Sequence, residues 1–282
     1  MKRFLAALCP IVLILGFGCS SCAQIRLGTP VPNPKKVDVN AIDHPREKGK
    51  LKTGAEQIDK YLNYLKGKKI GMVVNQTSII GSKHSVDSLK TLGINIAKIF
   101  GPEHGFRGNA SAGAKVDNTI DQTTGIPVIS LYGKHYKPTK EDLSGIDLLI
   151  FDIQDVGARF YTYISTLHYV MEACAENNLE LLILDRPNPN GFYVDGPVLE
   201  KEFTSFIGMH PIPIVHGMTI GEYAGMINGE GWLKDKMKCK IKIIQVENYT
   251  HATPYRLPVK PSPNLNTQQS ILLYPSLCLF EG

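Results

Sequence analysis

Residues 146–155 read IDLLIFDIQD, an almost continuous apolar run that ends in acidic and amide side chains. A strand with one face in water alternates apolar and polar residues, whereas a strand of a parallel sheet is buried on both faces and is apolar throughout. The run does not alternate. It therefore predicts a central strand of a parallel sheet whose carboxyl end carries Asp152, Gln154 and Asp155.

Similar apolar runs lie on both sides of this segment and alternate with helical patterns. The predicted strands are 68–77, 95–105, 126–133, 146–155, 179–189, 211–217 and 239–246, and the predicted helices are 53–68, 84–93, 158–178 and 219–232. The last helix has a capping box, because Thr219 is followed by Glu222 three residues later. Strands that alternate with helices predict an α/β fold, with a Rossmann-like, mostly parallel sheet and helices on both faces.

The composition is that of an ordinary globular protein. The chain has 282 residues, of which 43% are hydrophobic and 20% are charged, enough for one large domain or two small ones. The net charge of +5 comes from lysines scattered along the chain. Such a mild surface bias does not indicate a nucleic-acid partner.

The first 23 residues have the features of a secretory signal. MKR is a basic start, FLAALCPIVLILGFG is an apolar run too short to span a bilayer comfortably, and small residues follow it. Two processing routes fit this pattern: cleavage after Ala23, or attachment of a lipid anchor to Cys19 or Cys22. Either route predicts a protein that works outside the cytoplasm, in the periplasm or as a membrane-anchored lipoprotein.

These patterns divide the chain into four segments. They are the signal (1–23), a linker rich in Pro, Lys and Asp (24–50), a Rossmann-like domain (51–250) and the beginning of a smaller C-terminal domain (251–282). The last segment ends in ILLYPSLCLFEG, an apolar run with no closing helix or polar tail. It predicts that the second domain is incomplete.

Polar side chains follow six of the predicted strands at the point where each strand ends. In chain order they are Asn75, Gln76 and Thr77; Glu103 and His104; Tyr132; Asp152, Gln154 and Asp155; Asp185, Arg186 and Asn188; and His216. Because the carboxyl ends of parallel strands meet at one edge of a sheet, where such sheets bind ligands, these side chains predict a functional crevice.

The segment GPEHG (101–105) predicts a rigid turn at that edge. Pro102 fixes its own φ, and Gly105 can take the positive φ that other residues resist. The turn therefore holds Glu103 and His104 in place, and a partly desolvated carboxyl group at such a position can act as a general acid. Alternatively, Glu103 caps a helix or pairs with Arg107, and His104 orients a neighbour.

Other candidate residues also have structural alternatives. Asp155 is as well suited to cap the long helix that follows it as to take part in catalysis. Asp185 and Arg186 can form an internal ion pair. The aromatic row around Tyr161 can pack a helix or stack on the face of a sugar.

Several cofactor classes lack their sequence signals. The first strand leads into NQTSIIG rather than a G-x-G-x-x-G turn, so no nicotinamide cofactor is expected. Phosphate-loop, G-x-S-x-G and H-E-x-x-H motifs are absent from the sequence. A metal held by Asp152, His104 and His216 is conceivable, but no spacing demands it, and the three cysteines outside the signal are too widely spaced for a metal site. The sequence therefore predicts no cofactor and no metal.

Several long blocks resemble one family. VVNQTS, IFGPEHGFRG, PVISLYG, DLLIFDIQDVGARFYTYISTL, LILDRPNPNG, PIPIVHGMTIGEYA and PSPNL…YPSLCLFEG are similar to the NamZ-like exo-β-N-acetylmuramidases, glycoside hydrolase family 171, formerly a domain of unknown function. The resemblance covers roughly residues 53–282. It implies removal of terminal N-acetylmuramic acid from the non-reducing end of peptidoglycan fragments, and a cleft between a Rossmann-like domain and a smaller C-terminal domain.

The resemblance also implies roles for individual residues. It places the catalytic acid at Glu103 and gives motif-level matches at Asn75, His104, Asp155, Tyr161, Asp185, Asn188 and His216. Family members extend beyond LFEG, where this chain stops.

The implied reaction needs a second group besides the acid. Asp155 or Asp185 is the candidate carboxylate, and assistance from the substrate's 2-acetamido group is the alternative. The lactyl carboxylate of muramic acid calls for a cation, for which Arg107, Arg159 and Arg186 are candidates. Two other classes stay open: a metal-dependent periplasmic hydrolase of another ester, and a module that binds muramyl sugars without catalysis.

Overall fold

The structure is a computed structural model that describes residues 49–103, 105–108, 118–133, 135–277 and 280. The predicted signal and most of the linker lie outside the described residues, and so does His104. Processing, lipid attachment and the role of His104 therefore stay predictions. Across the described ranges, no helix combines the length and the apolar composition that a membrane crossing requires.

Seven strands of the described residues form one sheet, with the order β5-β6-β4-β1-β7-β8-β9. Their bounds are Lys69–Val74 (β1), Asn95–Gly101 (β4), Thr119–Ile120 (β5), Pro127–Ser130 (β6), Leu148–Asp152 (β7), Glu180–Leu184 (β8) and Lys240–Ile244 (β9), and a small hairpin adds Ile79–Ile80 (β2) and Lys83–His84 (β3). Every neighbouring pair in the sheet is parallel except β5 with β6. The predicted α/β fold is confirmed.

Both faces of the central strands are buried. In β7, Leu149 and Phe151 belong to one hydrophobic cluster, whereas Leu148 and Ile150 belong to the other. Successive side chains of a strand point to opposite faces, so a continuous apolar run can fill two cores at once. This is the arrangement that IDLLIFDIQD predicts.

Helices cover these two faces. Their bounds are Leu62–Leu65 (α1), Ser85–Thr91 (α2), Lys140–Leu143 (α3), Tyr163–Glu176 (α4), Ile220–Glu230 (α5) and Gln268–Leu277 (α6). Helix α5 has the predicted capping box: the Thr219 hydroxyl accepts from the Glu222 amide at 3.2 Å, and the Glu222 carboxylate accepts from the Thr219 amide at 2.9 Å. The helix ends at Gly231 in the left-handed region.

The predicted helix 53–68 is wrong over most of its length. Only a 3₁₀ turn, Ile58–Lys60, and α1 are helical. The backbone amide of Gly54 donates to the carbonyl of Asp185 at 2.7 Å, and a Cβ on Gly54 would lie only 2.3 Å from the carbonyl oxygen of Ile244. The first residues of this segment are thus pressed against the ends of β8 and β9, and that contact replaces a first helical turn.

The predicted strand 211–217 is also wrong. In the described structure this segment lies outside the seven-stranded sheet, and Val215 makes only isolated bridges, to Ala158 and Asp195. Pro211 and Pro213 cannot donate a backbone hydrogen bond, so the segment cannot act as a central strand. The short edge strand β5 was not predicted.

Helix α6 contains ILLYPSL, the first part of the apolar run, so this part of the run is itself helical. Leu265 and Ile271 belong to the same hydrophobic cluster as α4 and α5. The predicted domain boundary at residue 250 stays a prediction.

The strand order creates a topological switch next to β1. From β1 the chain adds β4 and then β6 on one side, and it returns to add β7, β8 and β9 on the other side. Connections that leave in opposite directions open a crevice at the carboxyl ends of the strands, where α/β sheets bind their ligands. The candidate site is therefore expected at the ends of β1, β4 and β7.

Candidate active site

Four strands deliver polar side chains to this crevice. Asn75 follows β1, Glu103 follows β4, Tyr132 follows β6 and Asp155 follows β7. β1 pairs directly with β7 and with β4, and β4 pairs with β6. The parallel register thus brings the four strand ends side by side.

The turn that carries Glu103 has the predicted geometry in its described part. Gly105 has φ 75°, and its backbone amide donates to the carbonyl of Pro102 at 2.9 Å. Gly101 lies against the backbone of Phe106, where a Cβ would be only 3.0 Å from the amide nitrogen. The chain is therefore tightly folded here, and Glu103 stays partly exposed.

Glu103 lines a cavity of about 470 Å³. The other lining residues are mostly aromatic: Tyr132, Tyr136, Phe160, Tyr161, Thr162, Tyr163, Phe206, Ile207, Ser262, Asn264, Leu265 and Tyr274. Among these described residues Glu103 is the only acid, and none is a lysine or an arginine. A concave wall of aromatic rings with polar groups placed among them is typical of a small-molecule site.

Tyr132 is hydrogen-bonded to Glu103. Burial is the largest cause that raises the pKa of Tyr132, to about 12, and the Glu103 carboxylate adds to it. The phenol therefore keeps its proton at neutral pH and donates a hydrogen bond to the carboxylate. This hydrogen bond orients Glu103 at the edge of the cavity.

Tyr161 and Tyr163 form another part of the cavity wall. Their rings meet edge to face with centroids 4.9 Å apart, and the Tyr161 hydroxyl donates to the carbonyl of Pro261 at 2.8 Å. The Tyr163 hydroxyl lies beside Asn75 and Tyr161, but it forms no hydrogen bond of normal geometry. Burial raises the pKa of both phenols, so both are neutral.

Asp155 lies one layer beneath this wall. It is buried, and its charge acts on Tyr161 and Tyr163. Its Oδ2 accepts from the Gly157 amide at 2.6 Å and lies 3.4 Å from Nε2 of His216, whereas its Oδ1 has no hydrogen-bond partner. The alternative that Asp155 caps the long helix is wrong, because α4 begins only at Tyr163.

Asp185 lies apart from the Glu103 cavity. Its Oδ1 accepts from the Gly221 amide at 2.8 Å, and its Oδ2 accepts from the Thr219 hydroxyl at 2.9 Å. These bonds fix the N-terminus of α5, and the side chain lines a different cavity of about 380 Å³. Burial raises the pKa of Asp185 to about 6. The structure does not bring Asp185 together with Glu103.

Arg107 is bound to two carboxylates of its own domain. Its Nε and Nη2 donate to Asp121, both at 2.9 Å, and its guanidinium lies 3.3 Å from Asp87. Arg107 is not among the residues that line the Glu103 cavity. Its fork-shaped donors hold the loop before β6 against α2.

The other two predicted cations also contact protein acceptors. Arg159 donates to the backbone carbonyls of Pro197 and Ile212. Arg186 donates to Oδ1 of Asp152 at 2.7 Å, and both side chains are buried. The predicted ion pair of Asp185 with Arg186 is wrong: Arg186 forms its internal ion pair with Asp152 instead.

Two further predicted residues brace the loops around Asp155. The amide group of Asn188 donates to the carbonyl of Met218 at 2.9 Å, and Nδ1 of His216 accepts from the Met218 amide at 3.2 Å. Gly157 packs so closely on Asn188 that a Cβ would lie 2.3 Å from the amide oxygen. Over the described ranges, no three acidic, histidine or cysteine side chains converge as a metal site would require.

The sequence analysis missed part of the cavity wall. Tyr136, Phe206, Ser262, Asn264 and Tyr274 do not follow a strand, so the strand-end rule could not select them. Ser262, Asn264 and Tyr274 do fall in the PSPNL…YPSL block that carries the family resemblance, which is the one signal that points to them.

A buried chain of polar side chains joins α4 to α5. Lys137 donates to Glu172 at 2.9 Å, and Nε2 of His168 lies 3.6 Å from the same carboxylate, too far for a hydrogen bond. His168 Nδ1 lies 2.9 Å from His210 Nε2, and His210 Nδ1 lies 2.7 Å from the Tyr223 hydroxyl. Burial lowers the pKa of both imidazoles, so both are neutral at neutral pH.

This chain predicts acid sensitivity. Burial lowers the pKa of His210 to about 3, so the folded protein keeps this imidazole neutral, whereas the unfolded chain takes up a proton below about pH 6.5. The unfolded state then binds more protons, and the free energy of unfolding falls by about 1.4 kcal/mol per pH unit from this group as the pH drops from 6.5 towards 3. Urea unfolding between pH 7 and pH 4 should show a smaller decrease for His210→Gln than for the wild type, with the exposed His251→Gln as control. Equal pH slopes for His210→Gln and the wild type would contradict the assignment.

Comparison with known proteins gives one family match. A family model described as "Exo-beta-N-acetylmuramidase NamZ, N-terminal" matches residues 70–269. A curated protein of Bacillus subtilis (strain 168), "Peptidoglycan beta-N-acetylmuramidase NamZ", is 46% identical over 244 residues, which cover 84% of this chain and 58% of that protein.

Two crystal structures are similar over most of the chain. Both are DUF1343 family proteins from Bacteroides fragilis NCTC 9343. The first has a TM-score of 0.76 at 50% identity and covers 83% of this chain and 62% of its own, and the second has a TM-score of 0.75 at 37% identity and covers 84% and 61%. The chain thus spans 58% to 62% of the length of these relatives.

Proposed function

The chain belongs to the family described as exo-beta-N-acetylmuramidase NamZ, N-terminal, and on that premise we propose that it removes terminal N-acetylmuramic acid from peptidoglycan fragments. One observation carries the proposal: the carboxyl group of Glu103 stands in an aromatic cavity at the carboxyl ends of the strands. Aromatic faces can stack on a sugar ring while the carboxyl group reaches the glycosidic oxygen.

Glu103 takes the role of general acid in this proposal. Cleavage of a glycosidic bond needs a proton on the leaving oxygen and a second group that supports the oxocarbenium-like centre or activates water. Tyr132 orients the Glu103 carboxyl group from one side. The carboxyl group also lines the cavity, where the substrate would bind.

Asp155 is the better of the two candidates for the second carboxylate. Its Oδ1 accepts no hydrogen bond, and both its charge and that of Glu103 act on Tyr163, so the two acids are neighbours of one phenol. Asp185 instead uses both oxygens to hold α5. Assistance by the substrate's acetamido group is the alternative route.

The lactyl carboxylate of the substrate needs hydrogen-bond donors. The three candidate arginines direct their guanidinium groups to protein acceptors. Thr162, Ser262 and Asn264 line the cavity and carry hydroxyl or amide donors. We therefore favour these neutral donors as the contacts to the lactyl group.

The test is the reaction itself. The protein is incubated with a disaccharide that has N-acetylmuramic acid at its non-reducing end, and the products are identified by mass spectrometry. We expect release of free N-acetylmuramic acid, unchanged by a chelator, and no cleavage of a matched disaccharide that ends in N-acetylglucosamine. Tight binding without product would favour the non-catalytic sugar-binding module, and loss of activity with the chelator would favour the metal-dependent hydrolase.

The proposed place of this reaction is outside the cytoplasm. The proposal rests on the basic start and the apolar run within residues 1–23. The mass of the N-terminal peptide of the mature protein distinguishes cleavage after Ala23 from a lipid on Cys19 or Cys22. An intact N-terminus at Met1 would overturn the proposed export.

A further inference from the structure

We propose that His216 is a positioning residue, which holds one oxygen of Asp155 and leaves the other oxygen to take a proton in the reaction. This inference rests on the proposed function, because it assumes that Asp155 is the second carboxylate. It gives His216 a different role from the substrate contact that the sequence predicts.

The hydrogen bonds of His216 decide which ring nitrogen carries the proton. Its Nδ1 accepts from the backbone amide of Met218 at 3.2 Å, so Nδ1 has no proton of its own. In a neutral imidazole the proton then lies on Nε2. Nε2 faces Oδ2 of Asp155 at 3.4 Å, a long contact of the kind that tightens when substrate binds.

A second donor meets the same oxygen. The Gly157 amide donates to Oδ2 of Asp155 at 2.6 Å, and the His216 amide donates back to the carbonyl of Gly157 at 3.3 Å. Gly157 has φ 80°, so the loop reaches the carboxylate through a conformation that suits glycine. The Gly157 amide is therefore the hydrogen-bond donor that holds Oδ2, and Nε2 of His216 lies 3.4 Å from the same oxygen without a hydrogen bond of normal geometry.

The other oxygen of Asp155 is left for chemistry. Oδ1 is buried without a hydrogen-bond partner, and three more atoms without partners belong to residues around it: Nε2 of His216, Nδ2 of Asn75 and the hydroxyl of Tyr163. The titratable groups that face Asp155 are His216 from the loop before α5, Tyr161 just before α4, Tyr163 at the start of α4 and Tyr223 from α5. All three phenols are neutral, so His216 is the group of this set that can donate to the carboxylate when the 3.4 Å contact tightens.

In the proposed step a water molecule transfers a proton to Oδ1 of Asp155, while the oxygen of the water bonds to the anomeric carbon. The glycosidic C–O bond breaks, and Glu103 gives its proton to the leaving oxygen. His216 keeps its own proton throughout, because it acts only on Oδ2.

The first test needs no turnover. Nitrogen-15 NMR of the wild-type protein reports which ring nitrogen of His216 is protonated, and His216→Gln identifies the signal. We expect a neutral ring with the proton on Nε2. A proton on Nδ1, or on both nitrogens at neutral pH, would overturn the positioning role whether or not the protein cleaves muramides.

The second test compares two variants of different reach. His216→Gln keeps an amide donor near the place of Nε2, whereas His216→Asn places its amide near Nδ1 and leaves Oδ2 with one donor. We expect kcat to stay within about threefold for the Gln variant and to fall at least tenfold for the Asn variant, at similar KM. The acid limb of the pH profile should move to higher pH only in the Asn variant, since the ionised carboxylate then has one donor fewer.

The outcomes separate this inference from the proposed function. If kcat falls equally in both variants and the acid limb of the pH profile does not move, the positioning role is overturned. The proposed muramidase function is not affected by that result. If the wild-type protein has the Nε2 tautomer but does not cleave muramides, the arrangement around His216 is supported and the proposed function is contradicted. Circular dichroism at each pH confirms that both variants are folded.

Discussion

Replacing Glu103 by glutamine is expected to lower kcat by about 10²- to 10⁴-fold, the usual contribution of a general acid. The amide has nearly the same size as the carboxyl group and can still accept from Tyr132, so the cavity keeps its shape. What it lacks is a proton to give to the leaving oxygen. Thermal unfolding of the variant should match that of the wild type, because Glu103 is partly exposed.

The choice of leaving group makes this prediction sharper. An aryl muramide with a nitrophenolate leaving group departs without protonation, so its hydrolysis should suffer much less in Glu103→Gln than hydrolysis of the natural disaccharide. Glu141→Gln, a change at an exposed acid of α3, serves as the matched control. Equal losses for both substrates would assign Glu103 to binding rather than to proton transfer.

Replacing Arg186 by methionine is expected to lower the free energy of unfolding by about 3–5 kcal/mol. Arg186 and Asp152 have side chains 2% and 0% exposed, and their charged atoms are 2.7 Å apart. Removal of the cation leaves an uncompensated charge in the core, which costs far more than the attraction itself. Urea unfolding at neutral pH measures the loss.

Two further variants show whether charge or packing causes the loss of stability in Arg186→Met. Lys240→Met removes an exposed partner, 3.7 Å from Glu180 and 76% exposed, and should cost less than about 1 kcal/mol. The double change Asp152→Leu with Arg186→Met removes both charges and should recover much of the stability. If the double variant is as unstable as Arg186→Met, packing rather than charge explains the loss.

The sequence is sufficient to predict the strands of the sheet. It is much less informative about the segments that pack around the sheet. Apolar runs such as 146–155 predict their strands because burial on both faces leaves no room for polar residues. The segment 53–68 has a helical pattern, but its start is held by the ends of β8 and β9, a contact between residues far apart in the chain. In 211–217 the apolar pattern predicts a strand, but Pro211 and Pro213 remove two of the backbone donors that a strand within a sheet needs.

The candidate site was likewise predictable in part: the residues at the strand ends could be predicted, but the partners of the arginines could not. Asn75, Glu103 and Asp155 meet because parallel strands end at one edge, and the chain order of the strands is visible in the sequence. The partners of the arginines are not visible there. Arg107 contacts Asp87 and Asp121 only in the folded protein. No local sequence pattern distinguishes an arginine that pairs within the protein from an arginine that binds substrate.

The wall of the cavity is assembled from residues that lie far apart in the sequence. Its earliest described member is Glu103 and its latest is Tyr274, whose ring meets that of Tyr161 at 5.9 Å. A chain still emerging from the ribosome has most of the sheet before it has this pocket. Sugar affinity would therefore arise only after Tyr274 has left the ribosome, and a ligand for the cavity would recognise only molecules in which the segment that carries Tyr274 has packed against Tyr161.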